Sequence, residues 1–267
     1  MPLQGIDLKN VLSIAEDTLR LTGESIIMPA FYKEGIVNTK RDGSIVTETD
    51  LAAQNLISDT LLEHFPDISF LGEEMDKDEQ LRHLSHGCFW CVDPLDGTTN
   101  FATGLPVFAT SLALMDEGTP ILACIHDPVR GETFTAIRGQ GAFRNGERIR
   151  TSQETDIASA VGFIDFKRLQ GEQAIRLATE KFFRSQRNIG SCVLEWAWLA
   201  TGRAQFIIHG GEKIWDYAAG ALLAEEAGCI VSNFANDSPF PSLSRSSSIA
   251  AASNRPIHSA LIGRLRS

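Results

Sequence analysis

The amino-acid sequence predicts a mixed α/β fold, combining α+β and α/β character, in which helices pack in layers on two β-sheets. Apolar residues recur at helical spacing near the N-terminus, and three β-rich stretches follow one another between residues 107 and 139. After about residue 150 the pattern changes to alternating strands and helices. We therefore expect two closely joined halves, residues 1–150 and residues 151–267.

The N-terminal half begins with helical patterns. Apolar spacing predicts a helix over residues 7–31 and a second amphipathic helix over residues 50–65. Strands are expected over residues 68–74 and 88–93, and each ends in acidic residues. The charged segment 76–87 between them is expected to be a solvated connection.

The next elements are predominantly β. Strands are expected over residues 107–116, 120–128 and 132–139, and an Asn-Gly pair within residues 138–149 predicts a β-hairpin. The Ser- and Pro-rich segment 236–248 lies between two expected strands and is interpreted as a loop. The remaining elements are expected at 158–164 (strand), 172–185 and 191–201 (helices), 204–209 (strand), 216–228 (helix), 229–233 and 248–253 (strands), and 256–265 (helix).

Composition excludes several classes of protein. The net charge of −10 argues against general affinity for nucleic acid or for an anionic membrane. No apolar run approaches the ~18 residues of a membrane span, and the N-terminus lacks a signal-peptide pattern, so a cytoplasmic location is expected. The five cysteines are too scattered for a disulfide framework, and Cys88 and Cys91 lie in an apolar strand pattern.

Acidic residues stand where predicted strands end or predicted helices begin. The set is Asp50, Glu73, Glu74, Asp93, Asp96 and Asp216. The carboxyl ends of strands in layered α/β folds form crevices that hold ligands. Each acid also has a structural explanation, since Thr47 and Asp50 fit a capping box and Asp216 favours a helix N-terminus. For each residue taken singly, both explanations stay open.

The segment DPLDGT, residues 93–98, is harder to explain as a turn alone. Its proline has a fixed φ, so the carboxylates of Asp93 and Asp96 and the carbonyl of Leu95 can converge. An oxygen-only ligand set of this kind suits Mg²⁺. Gly97 permits close approach of the backbone, so that N–H groups can face an anion. A cation site beside an anion site is typical of phosphate-ester chemistry.

Three motifs in this order resemble the signatures of the inositol monophosphatase-like family: GEE (72–74), DPLDGTTNF (93–101) and WDYAAG (215–220). The resemblance extends over nearly the whole chain, including residues 42–50 and 131–149. It implies a layered αβαβα sandwich of the inositol monophosphatase and sugar phosphatase type. It also implies a Mg²⁺-dependent, lithium-sensitive phosphomonoesterase. In this fold the N-terminal half carries most metal ligands and the C-terminal half closes the active site.

The resemblance assigns roles to individual positions. Asp50 and Thr98 match the pair that orients and deprotonates the attacking water, and Lys40 matches a basic residue of a loop near the metals. The residues that match the ligands of two or three Mg²⁺ ions are Glu73, Asp93, Leu95 (through its carbonyl), Asp96 and Asp216. The residues that match substrate contacts are Gly97, Thr98, Gly190, Ser191 and Cys192.

Substrate choice is where the sequence departs from the family pattern. Inositol-preferring members usually carry a Glu seven positions before the metal-binding Asp216, and this chain has His209 there. A neutral His offers one donor and one acceptor, whereas Glu offers only acceptors. A role of His209 in substrate binding, a structural role for it, and replacement by the nearby Glu212 all stay open.

The resemblance leaves four classes of substrate open: an inositol monophosphate, histidinol phosphate, a sugar phosphate, or a bisphosphate nucleotide such as 3′-phosphoadenosine 5′-phosphate. The intact DGTTNF motif, residues 96–101, favours the inositol type. A homodimer is expected, with a small phosphate monoester as substrate and no nucleic-acid or membrane partner. The alternative of another class is a regulatory protein that binds the transcription machinery, as some bacterial members of the family do.

Overall fold

The computed structural model of the protein describes residues 5–33, 37–39, 45–84, 87–242 and 244–266. The helices in these ranges are α1 (Leu8–Thr22), α2 (Met28–Phe31), α3 (Glu48–His64), α4 (Lys77–Leu84), α5 (Thr98–Ala102), α6 (Gly171–Thr179), α7 (Cys192–Ala200), α8 (Ile214–Ala227) and α9 (Arg255–Arg266). A π-helical segment, Gly23–Ile27, joins the first two, and short 3-10 turns lie at Ile157–Ser159 and Phe166–Arg168.

The strands make two large sheets and one short ribbon. They are β1 (Val37–Thr39), β2 (Ile45–Thr47), β3 (Ser69–Gly72), β4 (Cys88–Asp96), β5 (Ala109–Asp116), β6 (Thr119–Asp127), β7 (Glu132–Ile137), β8 (Gly141–Arg144), β9 (Glu147–Arg148), β10 (Val161–Asp165), β11 (Ser185–Arg187), β12 (Phe206–Lys213), β13 (Ile230–Ser232) and β14 (Ser246–Ala252).

The larger sheet has the order β3-β4-β5-β6-β7-β8-β9. Its first pair is parallel and the remaining pairs are antiparallel. Strand β4 is buried along nearly its whole length, because helices cover both faces of the sheet. On one face Trp90 packs with Val11 and Ile57 of α1 and α3, whereas Phe89 packs on the other face with Trp196 and Leu222 of α7 and α8.

The smaller sheet has the order β11-β10-β12-β14-β13 and mixes parallel and antiparallel pairs. Neighbouring residues of β12 point to opposite faces, as in any regular strand. Ile207 joins the core formed with α7 and α8, and Ile208 joins Leu177 and Leu261 of α6 and α9. The layers are therefore α1/α3, the larger sheet, α7/α8, the smaller sheet, and α6/α9. This order confirms the predicted αβαβα sandwich.

Most predicted elements are present with shifted ends, but two predictions are wrong. The segment 76–87 contains helix α4, whose first turn is capped by Asp76 through its bond from the Glu79 backbone N–H (2.9 Å). Gln80 anchors this helix, donating to the carbonyls of Gly72 and Glu73. The high charge of the segment led to the prediction of a solvated connection, although Asp76 is a favourable residue for capping a helix N-terminus.

The second error concerns the expected helix over residues 172–185. Helix α6 ends at Thr179, and the chain then forms strand β11. Phe182 and Phe183 pack against the outer core, and the ring of Phe183 lies 5.3 Å from that of Phe206. Burial of these rings outweighs continuation of the helical turn. In the described residues, no helix is long and apolar enough to cross a membrane.

Candidate active site

Three carboxylates converge where the two sheets meet α8. Asp93 and Asp96 lie at the end of β4, and Asp216 lies in the first turn of α8. Each offers one oxygen, and the three oxygens lie within 4.8 Å of one another. The strand tips and the helix start therefore bring together acids that are more than a hundred residues apart in sequence.

A β-bulge explains how Asp93 and Asp96 can face the same point. Residues three apart in a regular strand point to opposite faces of the sheet. Here the register with β5 shifts between Asp93 and Asp96, so that two residues of β4 lie opposite Thr110 alone. The Asp93 carboxylate also accepts the backbone N–H of Leu95 at 3.0 Å, which holds the turn.

Hydrogen bonds orient the other two acids. Asp96 accepts the Ser191 hydroxyl at 2.5 Å and the Val193 backbone N–H at 2.8 Å, so the start of α7 holds one of its oxygens. Asp216 accepts the backbone N–H of Lys213 at 3.1 Å. Because β12 runs directly into α8, this bond orients the Asp216 carboxylate at the junction of the strand and the helix.

Burial and mutual repulsion make the charged forms of the three acids unfavourable in the absence of a cation. Desolvation and the charges of Glu73 and its neighbours raise the pKa of Asp93 well above its ordinary value. Desolvation raises the pKa of Asp96 to about 6 despite its bond from Ser191, and desolvation and the charge of Asp96 raise the pKa of Asp216. These carboxylates repel one another, and a divalent cation would relieve both the repulsion and the desolvation. The oxygen-only set suits Mg²⁺.

Glu73 and Leu95 complete the predicted ligand set. Glu73 follows β3, and its backbone N–H bonds the carbonyl of Val92 at 3.1 Å, next to Asp93. Its charge contributes to the raised pKa values of Asp93 and Asp216. The carbonyl of Leu95 accepts the hydroxyl of Thr98 at 3.0 Å. The neighbouring Glu74 donates its backbone N–H to the side chain of Gln54.

Asp50 and Thr98 form a second polar group beside the carboxylates. The Thr98 hydroxyl lies 3.0 Å from Asp50 Oδ1, and Asp50 Oδ2 accepts both the backbone N–H and the hydroxyl of Thr47. The capping box predicted for α3 is therefore present, and the same carboxylate contacts Thr98. Asp50 is buried, and desolvation raises its pKa.

Gly97 is required where the chain turns between Asp96 and α5. Its φ is +90°, a value that L-residues rarely adopt, and a Cβ there would lie 2.9 Å from the carbonyl of Val107. The carbonyl of Gly190 lies on the same side, 3.3 Å from that Cβ position. The turn at Gly97 and the segment 190–192 therefore line one edge of the site. Lys40 lies outside the described residues.

The structure places His209 differently from a free substrate contact. Its ring is buried, with Nε2 3.3 Å from Asp165 and Nδ1 accepting the backbone N–H of Gly211 at 3.2 Å. The bond from His209 lowers the pKa of Asp165. Asp165, at the tip of β10 opposite His209, is the more exposed of the pair.

Two further buried acids lie near the site: Glu195, which was not predicted as a functional residue, and Glu212, which was left open as a substrate contact in place of His209. Glu195 accepts the backbone N–H of Ile189 at 3.1 Å, and burial raises its pKa to about 8. Glu212 accepts the indole N–H of Trp196 at 3.1 Å, and burial raises its pKa. An acid within the apolar run CVLEWAWLA is a sequence signal that could have identified Glu195.

The pKa shift of Asp96 predicts a pH dependence of stability in the absence of metal. Its folded-state pKa is raised to about 6 from an ordinary 3.8, so the folded state holds a proton that the unfolded state has released. This contribution is complete below about pH 4 and is lost as pH rises through about 6. We expect the difference in Tm between the chelator-treated wild-type protein and the chelator-treated Asp96→Asn variant, wild type minus variant, to decrease as pH rises from 4 to 7. The same difference measured with the matched variant Asp67→Asn, at an exposed turn, should not change with pH. A constant difference for Asp96→Asn would contradict the prediction.

Comparison with known proteins is consistent with this geometry. The family model described as "Inositol monophosphatase family" matches residues 7–267. Inositol monophosphatase 1 of Solanum lycopersicum is 34% identical over 231 residues, which cover 84% of each chain. Nus factor SuhB of Escherichia coli (strain K12) is 38% identical over 232 residues, 84% of this chain and 85% of the relative.

A solved structure has the same fold. An IMPase/NADP phosphatase complexed with Mg²⁺ and phosphate superposes with a TM-score of 0.86 and 24% sequence identity, covering 97% of this chain and 96% of the other. The family match spans both sheets and every residue of the candidate site. We conclude that the chain belongs to the inositol monophosphatase family, a family of phosphatases.

Proposed function

We propose that the protein is a Mg²⁺-dependent phosphomonoesterase that hydrolyses a small alcohol phosphate, of the inositol monophosphate type, by in-line attack of water. The observation that carries this proposal is the convergence of Asp93, Asp96 and Asp216 within 4.8 Å, beside the hydrogen-bonded pair of Asp50 and Thr98. This combination supplies a cation site and a proton-accepting group in one place.

The residues that would hold Mg²⁺ are Glu73, Asp93, Leu95 (through its carbonyl), Asp96 and Asp216. Two or three ions are proposed, because five negative charges, counting Asp50, meet a phosphate monoester that adds about two more. When bound, Mg²⁺ supplies Lewis acidity and neutralises the charge of the phosphate oxygens. The Mg²⁺ and phosphate of the solved IMPase/NADP phosphatase support this choice of ion.

Asp50 and Thr98 would handle the proton of the attacking water. The Thr98 hydroxyl donates toward Asp50 or the carbonyl of Leu95, so its lone pairs are available to accept a hydrogen bond from water. As the water oxygen attacks phosphorus, its proton passes through the Thr98 hydroxyl to Asp50. The bond from phosphorus to the alcohol oxygen breaks, and the leaving oxygen takes up a proton from solvent water. The raised pKa of Asp50 favours proton uptake at this step.

The edge of the site formed by the turn at Gly97 and the segment 190–192 would bind the substrate. Backbone N–H groups near Gly97 and Thr98 are proposed to face the phosphate, and Gly190, Ser191 and Cys192 the alcohol. His209 is proposed to act on this side through Asp165, since its Nε2 already contacts that carboxylate. We also propose that the enzyme is a lithium-sensitive homodimer.

The direct test is phosphate release from a panel of esters, comprising inositol, histidinol, fructose, bisphosphate nucleotide and NADP phosphates, with Mg²⁺, with a chelator, and with Mg²⁺ plus Li⁺. We expect inositol monophosphate to be hydrolysed with Mg²⁺ and not with the chelator. Faster hydrolysis of histidinol phosphate or a bisphosphate nucleotide would change the assigned substrate. Absence of hydrolysis of every ester would overturn the enzymatic proposal.

A second candidate function has one supporting observation, the 38% identity to a relative named Nus factor SuhB. Under this alternative the protein binds the transcription machinery. Sedimentation of the purified protein with RNA polymerase and its termination factors tests it. If the protein sediments at the mass of a homodimer both with and without these factors, this candidate function is excluded.

A further inference from the structure

A second cluster of metal-ligating side chains lies next to the carboxylates that we assign to Mg²⁺. Cys192 is the first residue of α7, and His209 and Glu212 belong to β12. Each offers one ligand atom, and the three atoms lie within 4.8 Å of one another. We call this group the Cys-His-Glu cluster.

A bulge in β12 makes the cluster possible. His209 and Glu212 are three residues apart and would point to opposite faces of a regular strand. The register with β14 shifts between them, His209 lying opposite Ile249 and Glu212 opposite Ser247. The extra residue turns both side chains to the side on which α7 begins.

Glu212 is the observation that points to a missing ligand. Its side chain has no exposed surface, and Trp196 donates to only one of its oxygens, Oε2. Within the described part of the chain, the other oxygen, Oε1, has no hydrogen-bond partner. Buried carboxylate oxygens are seldom left unpaired, because desolvation without a partner is unfavourable.

His209 has the arrangement of a metal-binding imidazole. Nε2 lies 3.3 Å from Asp165, which is 18% exposed and accepts the ring N–H, so that Nδ1 carries the lone pair. Metal-binding histidines usually donate their other N–H to a carboxylate in this way. Nδ1 accepts the Gly211 N–H at 3.2 Å, and a metal bound at Nδ1 would replace that contact.

Cys192 supplies the sulfur. All five cysteines lie in the described part of the chain, and of these Cys192 alone is not fully buried. It stands between Ser191 and Val193, which both bond Asp96. A metal at Cys192 would therefore join α7 to β12, the two elements that position Asp96 and Asp216.

We propose that the Cys-His-Glu cluster binds one thiophilic divalent cation of the Zn²⁺ class, with a fourth position open to water or substrate. One sulfur, one imidazole nitrogen and one carboxylate oxygen form a typical Zn²⁺ ligand set. Mg²⁺ selects oxygen ligands, so the two kinds of ion are sorted between the two neighbouring sites. The inference does not depend on the phosphatase proposal.

The test is metal titration of the intact protein in excess Mg²⁺, first with Zn²⁺ by calorimetry and then with Co²⁺ by absorption spectroscopy. We expect one equivalent of tightly bound Zn²⁺ and a thiolate-to-Co²⁺ charge-transfer band. Loss of an outer hydrogen-bond partner lowers metal affinity about 10- to 100-fold, and Asp165→Asn, which removes such a partner, should weaken Zn²⁺ binding about tenfold. Cys192→Ser removes a ligand itself, so it should weaken Zn²⁺ binding at least tenfold and abolish the band.

Two further variants distinguish the sites. Glu212→Gln should weaken Zn²⁺ binding at least tenfold, as for Cys192→Ser, and provides the test if the cysteine variant does not fold. Asp93→Asn should leave the Co²⁺ band intact while removing the proposed Mg²⁺ activity. A wild-type protein without the band, or Zn²⁺ binding lost in Asp93→Asn but kept in Cys192→Ser, would overturn the proposal. Either result is compatible with full Mg²⁺-dependent hydrolysis by the wild-type protein. Failure of the zinc proposal is therefore distinguishable from failure of the phosphatase proposal.

Discussion

Substitution of Asp93 by Asn is expected to lower phosphatase activity by at least about 100-fold, a typical cost of removing one preorganised electrostatic group. Asp93 is buried and shares its site with Asp96 and Asp216. Removal of its charge should weaken binding of the Mg²⁺ that we propose at this site, which would neutralise the phosphate. Steady-state hydrolysis across a range of Mg²⁺ concentrations measures the loss.

The fold should survive this change. Asn resembles the protonated form of Asp, and its carbonyl oxygen can still accept the backbone N–H of Leu95. Because the raised pKa of Asp93 reflects repulsion as well as burial, the metal-free variant should be at least as thermostable as the wild type. Asp59→Asn, at an exposed position of α3, is the matched control and should keep full activity. Near-normal turnover of Asp93→Asn at saturating Mg²⁺ would refute the assignment of Asp93 as a ligand.

Replacement of Thr98 by Val is expected to lower kcat by about 10²- to 10⁴-fold, the usual contribution of a positioned proton-transfer group. Val has the shape of Thr without the hydroxyl, so it removes the contact with Asp50 and leaves the start of α5 in place. Asp50 keeps its two bonds from Thr47, and α3 remains capped. Single-turnover rates at saturating Mg²⁺ measure the effect.

Thr98→Ser is the informative companion, because it restores the hydroxyl and should keep kcat within about tenfold of the wild type. The apparent Mg²⁺ affinity of both variants should stay close to the wild-type value. A Thr98→Val enzyme that loses Mg²⁺ affinity or thermal stability, yet turns over normally once saturated, would give Thr98 a structural role only.

Motif residues within one segment were the most predictable part of the site. The DPLDGT motif predicted that Asp93 and Asp96 converge, and the structure places their oxygens in one cluster with Asp216. The capping box proposed from sequence for Asp50 is present. The same carboxylate that caps α3 also contacts Thr98, as the functional explanation requires. The two explanations are compatible.

Other features escaped sequence analysis because they depend on long-range packing. Helix α4 was not predicted, because its segment is highly charged. Gln80 holds the helix in place by donating to carbonyls at the end of β3, a contact that the local sequence does not specify. The pairing of His209 with Asp165 joins strands more than forty residues apart. No local pattern specifies that a ring at one strand tip will turn toward a carboxylate at another.

By itself, the sequence determined the class of fold and the identity of the acids at the strand tips, since both follow from apolar periodicity and local motifs. Only the tertiary structure decided which side chains share a site. The β-bulges after Asp93 and after His209 turn residues that a regular strand would separate onto one side. Their position is decided by pairing with neighbouring strands, β5 and β14, and such pairing is a property of the folded sheet.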